Sequence, residues 1–422
     1  MKPEKDTLEN KLRLITTHMS GVGSVTVMIL VKSGSRYETK QKNGLAHFAE
    51  HMFFKGTKKR PTAMDISSLI DGIGGEFNAF TSKEFTGFYI KAAKDHIELC
   101  LDVVSDMLLN SLFAKEEIER ERNVITEEIR MYLDTPMRHV PDVYDALLFG
   151  DQPLGWDTAG TLESLKNIKR EDFFKYLEDF YTPGNMLVTI SGGFNPEKIR
   201  LLVDQYMGSI KNYKAKGFDK VKVNQAKPGV KIFYKKSEQA HFCLGVRAYP
   251  TGHPNRYKLA VLNTILGASM SSRLFIQLRE RRGLAYYVRS GAEEYHDAGS
   301  IAAQAGVLPK NIEEAIKVIL NEFSKLARES TSEVELKKAK EYLKGKLILE
   351  LEDSREVSNL FGLQELLEET IRTPAEIIEN VEKVTARDIQ KVAKDIFVNQ
   401  GLNLAIIGPF KSEDKFETIL KF

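Results

Sequence analysis

Cysteine and tryptophan are almost missing from this 422-residue chain, which has two of the first and one of the second. Cys100 and Cys243 lie far apart in sequence, each in an apolar setting, so they read as buried thiols and no disulfide framework holds the fold. A reducing cytoplasm is the expected location. Long hydrophobic runs are absent too. The longest strand-like one, Val-Thr-Val-Met-Ile-Leu-Val at 25–31, falls far short of the roughly 20 residues that span a bilayer, so no membrane segment is expected. The start, Met-Lys-Pro-Glu-Lys-Asp-Thr-Leu, lacks the apolar core of an export signal, and its acidic residues argue against an organelle transit peptide. Charge is balanced as well, 61 Lys and Arg against 59 Asp and Glu. That leaves no electrostatic case for nucleic acid or an anionic membrane surface as partner.

What is present is a hydrophobic share of 42% and a charged share of 28%, the composition of a soluble globular protein. The length exceeds one ordinary core, so two or three domains are expected. Histidine is scarce, with eight in the chain, yet two fall four residues apart in His47-Phe-Ala-Glu-His51, within the segment 44–57. That segment reads as one short helix, with Asn43 as N-cap and Lys55-Gly56 as its end. Positions four apart on a helix share a face, so His47 and His51 can aim at one metal ion. Glu50 sits beside them, where a carboxylate can take a proton from a metal-activated water. Leu45, Phe48, Met52 and Phe53 occupy the opposite side and would pack on a sheet.

Around this helix the pattern predicts strands at 12–15 and 24–32, a helix capped by Thr62, and two aromatic-rich strands at 76–81 and 84–92 spaced as a hairpin would be. Helices follow at 95–112 and 115–133. The second of these is strongly charged, and most of its acids are a solvated face with i,i+4 partners. Glu121 and Glu128 stand apart, because seven residues return a helix to within about 20° of the same direction. One of them can complete a zinc site while the other orients a ligand histidine. Helix geometry alone leaves Glu127 and Glu128 both open as the ligand.

A strand at 185–191 and a helix at 196–206 close the first half, and the basic, weakly patterned stretch after 211 reads as a linker. Beyond it the order of elements begins again, with strands at 239–247, 286–293, 299–306 and 402–408 and helices at 257–267 and 311–327. The offset is about 212 residues, the mark of an internal repeat. The expected architecture is therefore α+β: two homologous domains, 1–212 and 230–422, joined by 213–229, each a mostly antiparallel sheet packed with helices. The helix at 257–267 carries no His or Glu pair, so only the first domain can bind metal in this way.

The chain resembles the pitrilysin, insulin-degrading enzyme and mitochondrial processing peptidase family of inverted-motif zinc peptidases, in particular its half-size members. His47-Phe-Ala-Glu-His51 with Phe54-Lys-Gly-Thr57 is similar to the family's zinc helix. Glu121-Arg-Asn-Val-Ile-Thr-Glu-Glu128 resembles its E-x6-E segment. The resemblance implies one Zn2+ per chain on His47, His51 and Glu128, with Glu121 as the supporting carboxylate and Glu50 as the base. It implies a substrate-binding edge strand at Asn78, Ala79 and Phe80, where an extended peptide adds by main-chain hydrogen bonds. Ser272 to Tyr286 resembles the segment whose Arg and Tyr hold the substrate backbone, which implies those roles for Arg279 and Tyr286. The implied activity is hydrolysis of peptides or unfolded segments in a chamber formed by two chains, a homodimer or a heterodimer with a related subunit. The family's members without zinc imply the alternative, a non-catalytic structural or assembly subunit.

Overall fold

The computed structural model describes residues 2–422. Its first sheet contains β1 (Glu4–Thr7), β2 (Arg13–His18), β3 (Ser24–Val31), β4 (Glu76–Thr81), β5 (Thr86–Ala93) and β6 (Met186–Gly192), in the order β1-β2-β6-β3-β5-β4. The second contains β7 (Gly229–Tyr234), β8 (Ala240–Arg247), β9 (Ala285–Glu294), β10 (Gly299–Val307) and β11 (Asn403–Gly408), in the order β7-β11-β8-β10-β9. Position by position, β2-β6-β3-β5-β4 matches β7-β11-β8-β10-β9. Each sheet has one parallel pair, β2 with β6 and β7 with β11, and antiparallel pairing elsewhere. The α+β reading and the duplication therefore hold at the level of topology. Hydrophobic pattern does not announce β1 or β7. Both lie at sheet ends, and β1, which reads Glu-Lys-Asp-Thr, buries too little there to need an apolar run; β7 has apolar residues but follows directly on the stretch read as a linker.

The central strand β3 is buried at every position after its first, because both of its faces are covered. Met28 and Leu30 pack with Val357 and Phe361 of the helix Ser354–Glu368. Odd positions point the other way, toward the side where Phe88 of β5 meets the His-bearing helix, α1 (Leu45–Phe53), through Phe53 at 5.0 Å between ring centroids. The remaining first-half helices that matter here are α2 (Ala63–Asp71), α3 (Ile97–Asn110), α4 (Lys115–Asp134) and α5 (Pro136–Phe149).

The compact units differ from the continuous halves that periodicity suggests. The first comprises the chain through Ile129, Asp157–Asp219 and Ile348–Pro374, and the second Arg130–Trp156, Lys220–Leu347 and Ala375–Phe422. Strands respect the repeat and two helices do not. Val140, Val143, Tyr144 and Leu148 of α5 cover Cys243, Ala405 and Ile407 of the second sheet, while Ser354–Glu368 covers the first. An amphipathic helix shows that it needs an apolar partner, but not which sheet supplies it. The stretch at 213–229 also differs from a free linker. Phe218 packs on Tyr37 at 5.1 Å in the first unit, and the Val221 amide donates to Asp297 at 2.9 Å in the second. Both cysteines are buried and unpaired. No helix among the described residues is long and apolar enough to cross a membrane.

Candidate active site

At the start of α1, Gly44 occupies the N-cap with φ 95°, a left-handed conformation that glycine adopts without strain. A Cβ there would fall 2.6 Å from the Ala159 carbonyl oxygen. Asn43 is not the cap that the sequence suggests. Its Nδ2 donates to Glu38 at 2.9 Å, and Glu38 itself accepts from the amides of Gly44 at 2.8 Å and Ala46 at 2.6 Å. The carboxylate thus takes amides that the first turn of a helix leaves unpaired and meets the positive end of its dipole. Burial raises the Glu38 pKa to about 7 against the pull of those three hydrogen bonds. Leu45, Phe48, Ala49, Met52 and Phe53 are buried, each large side chain contributing roughly 1.5–3 kcal/mol. That anchoring turns His47, Glu50 and His51 to the other side.

There the structure brings together what the spacing suggests. One ligand atom each from His47, His51 and Glu128 lies within 4.8 Å of the others. Glu128 Oε2 is 3.7 Å from His47 Nε2 and 3.6 Å from His51 Nε2. Ligand atoms bound tetrahedrally to zinc at 2.0–2.1 Å stand about 3.3–3.4 Å apart, so Glu128 is within a few tenths of an ångström of the spacing to each imidazole that a shared ion would require. Two imidazoles and a carboxylate are a zinc donor set. Burial, with His51 nearby, lowers the His47 pKa to about 4, keeping the ring in the neutral form a metal requires. His47 Nδ1 is buried without a hydrogen-bond partner.

Glu121 supports the set from one turn-pair earlier on α4. Its Oε2 lies 3.0 Å from His51 Nδ1 and its Oε1 2.7 Å from Lys55 Nζ. Burial works to raise its pKa, but the bonds from His51 and Lys55 prevail and hold it below the usual range. An ionised carboxylate only accepts, so Nδ1 carries the ring proton and Nε2 is left to bind metal. Glu127, the other residue that helix geometry left open, is exposed.

Glu50 stands on the same face. Burial raises its pKa, and Glu128 adds to this, against a hydrogen bond from Thr81 and the field of His51. Thr81 Oγ1 donates to Glu50 Oε2 at 2.5 Å. Thr81 ends β4, the strand that carries Asn78, Ala79 and Phe80 and terminates its sheet. Alternation sends Phe77, Ala79 and Thr81 toward α1, where Phe77 meets Phe54 at 5.7 Å. Phe80 points the other way, to Phe85. One edge of β4 pairs with β5, Asn78 opposite Tyr89 and Ala79 opposite Phe88. The other is open to an added strand.

Arg279 and Tyr286 come together in the second unit. The Arg279 guanidinium lies 5.5 Å from the Tyr286 ring centroid and 5.0 Å from that of Phe275. Phe275–Glu280 is a π-helical turn, a rare form that is frequent at functional sites. Tyr286 lies near the start of β9, the strand that ends its own sheet, and is 78% exposed. Sequence reasoning missed Glu38, Thr81 and Lys55. Lys55 was findable, since it follows His51 by four; alternation puts Thr81 on the same strand face as Phe77 and Ala79 but does not say that this face meets Glu50. Glu38 had no signal beyond an acid shortly before a helix.

A duplicated α+β fold with an inverted H-x-x-E-H set on one unit defines the inverted-motif zinc-peptidase class. The profile described as Insulinase (Peptidase family M16) matches residues 13–162, and that of the Peptidase M16 inactive domain matches 167–343. An uncharacterized zinc protease of Bacillus subtilis is 36% identical over 96% of this chain and 97% of its own length. One of Mycobacterium leprae is 36% identical over 97% and 92%. The crystal structure of a protease from Helicobacter pylori superposes with TM-score 0.90 at 24% identity, covering 97% of this chain and 99% of that one. The chain belongs to peptidase family M16.

Proposed function

We propose that the chain is a zinc-dependent endopeptidase that cleaves peptides or unfolded segments. The observation that carries this is the Glu50 carboxylate beside the converging atoms of His47, His51 and Glu128. Those three residues would hold a zinc ion, which would acidify water to a pKa of about 7 and polarise a carbonyl. Glu50, its proton affinity raised by burial, takes a proton from the attacking water and passes it to the leaving amine. The open edge of β4 binds substrate backbone through main-chain hydrogen bonds, which hold a peptide without selecting its side chains. Arg279 and Tyr286 donate to the substrate backbone or to the oxyanion.

Glu50→Gln is the direct test. Zinc content should stay stoichiometric while turnover falls by about 10²–10⁴-fold, the usual contribution of a positioned base. Turnover near that of the unmodified chain would remove Glu50 from this role. The scaffold alternative has no zinc requirement, and metal analysis of purified protein separates it. The proposal extends to assembly: two chains pair around a chamber, as a homodimer or with a related subunit. Sedimentation gives the assembly state. Mixing Glu50→Gln with Tyr286→Phe chains restores activity only if Tyr286 serves the partner's site.

A further inference from the structure

We propose that Thr81 is a positioning residue for Glu50, so that the strand receiving the peptide also orients the carboxylate that moves the proton. The proposal rests on the reading of Glu50 as the base. Its footing is the 2.5 Å hydrogen bond from Thr81 Oγ1 to Glu50 Oε2. A hydroxyl has one hydrogen to give, and here it goes to the carboxylate. That bond holds Oε2 and sets the plane of the group from the strand, leaving the lone pairs it does not use to take a water proton.

The donor is itself held from behind. Immediately after Thr81 the chain turns, and Ser82 Oγ accepts from the amides of Glu84 at 3.2 Å and Phe85 at 3.1 Å. The Ser82 and Lys83 carbonyls accept from the amides of Ser35 at 3.2 Å and Arg36 at 2.8 Å. Arg36 pairs with Glu84 at 2.5 Å, both buried. Two residues further along the same loop, Glu38 holds the first turn of α1. A closed circuit results: α1, Glu50, Thr81, the turn, the 33–38 loop, Glu38, and α1 again. At the opposite end of β4, Phe77 rests on Phe54. The hydroxyl therefore meets Glu50 from a strand fixed to α1 at both ends, which is the preorganisation a proton-transfer group needs.

The test uses the full-length, zinc-loaded chain and an internally quenched peptide. Thr81→Val keeps shape and strand preference while removing the donor. It should lower kcat by about 10- to 100-fold with KM within about threefold, and leave zinc content and melting temperature as in the unmodified chain. Thr81→Ser, which restores the hydroxyl, should recover kcat to within about threefold. In the Glu50→Gln background, Thr81→Val should have no further effect on residual turnover, because its partner is already disabled. Unchanged kcat in Thr81→Val overturns the proposal. So does a defect confined to KM, failure of serine to rescue, or an equal further loss on top of Glu50→Gln. An active Glu50→Gln chain defeats the reading of the base itself, whereas an inactive Glu50→Gln beside a fully active Thr81→Val defeats only the role of Thr81.

Discussion

Glu121 and His51 are joined by a 3.0 Å contact between Oε2 and Nδ1, and Lys55 closes on the other oxygen of the same carboxylate at 2.7 Å. The lysine holds the carboxylate ionised, the carboxylate holds the ring proton, and the ring turns Nε2 toward His47 and Glu128. Glu121→Gln should weaken zinc binding by about 10–100-fold without unfolding the chain. Lys55→Met should weaken it in the same direction by less. Competition against a chromophoric chelator reads both, and equal affinity in all three proteins would disconnect this chain of contacts from the metal.

The neighbouring acids on α4 separate cleanly. Glu128 faces both imidazoles at 3.6–3.7 Å, whereas Glu127 is exposed. Glu128→Gln is expected to abolish stoichiometric zinc, and Glu127→Gln to retain it. Metal content after dialysis decides, and the reverse order would move the ligand by one position.

Arg36 and Glu84 form a buried ion pair beneath the turn that follows Thr81, with the Arg36 guanidinium also 3.9 Å above the Phe218 ring. Removing one partner leaves a charge in an apolar setting. Arg36→Met should therefore destabilise the first unit by about 3–5 kcal/mol, and adding Glu84→Leu should recover much of that loss. Urea unfolding of the single and double variants measures both.

Glu38 should give stability a pH dependence. Burial raises its pKa from 4.5 to about 7, so the folded chain holds this proton more tightly than the unfolded one. The contribution is complete below pH 4.5 and disappears as the pH rises through 7, amounting to about 3 kcal/mol for a shift of this size. Glu38→Gln does not titrate and should lose less stability than the unmodified chain between pH 5 and pH 7.5. Denaturation midpoints that run parallel across that range would show the carboxylate ionised throughout.

How much of this was legible beforehand depends on the range of the interaction. His47, Glu50 and His51 lie within one helical turn and a half, so periodicity alone put them on one face. Glu121 and Glu128 announced themselves by their seven-residue spacing, but choosing Glu128 over Glu127 took either the family resemblance or the coordinates. Thr81 and Glu38 act through contacts that depend on how a strand and a loop meet α1, and no pattern within either segment encodes that meeting. The same holds for α5 and for Ser354–Glu368. The sheets they cover are not those of their own halves.

That exchange governs how the chain can fold as it is made. Thr26 bonds Ser354 at 2.8 Å, Thr189 bonds the Ser358 carbonyl at 3.3 Å, and Arg13 bonds Glu365 at 3.1 Å. The first sheet therefore waits with one apolar face uncovered until nearly the whole polypeptide has left the ribosome. Closing loops of that span is slow, and the waiting intermediate exposes surface that invites aggregation. A fragment ending at the midpoint of the repeat would carry His47, His51 and Glu128 and still lack the helix that seals its core.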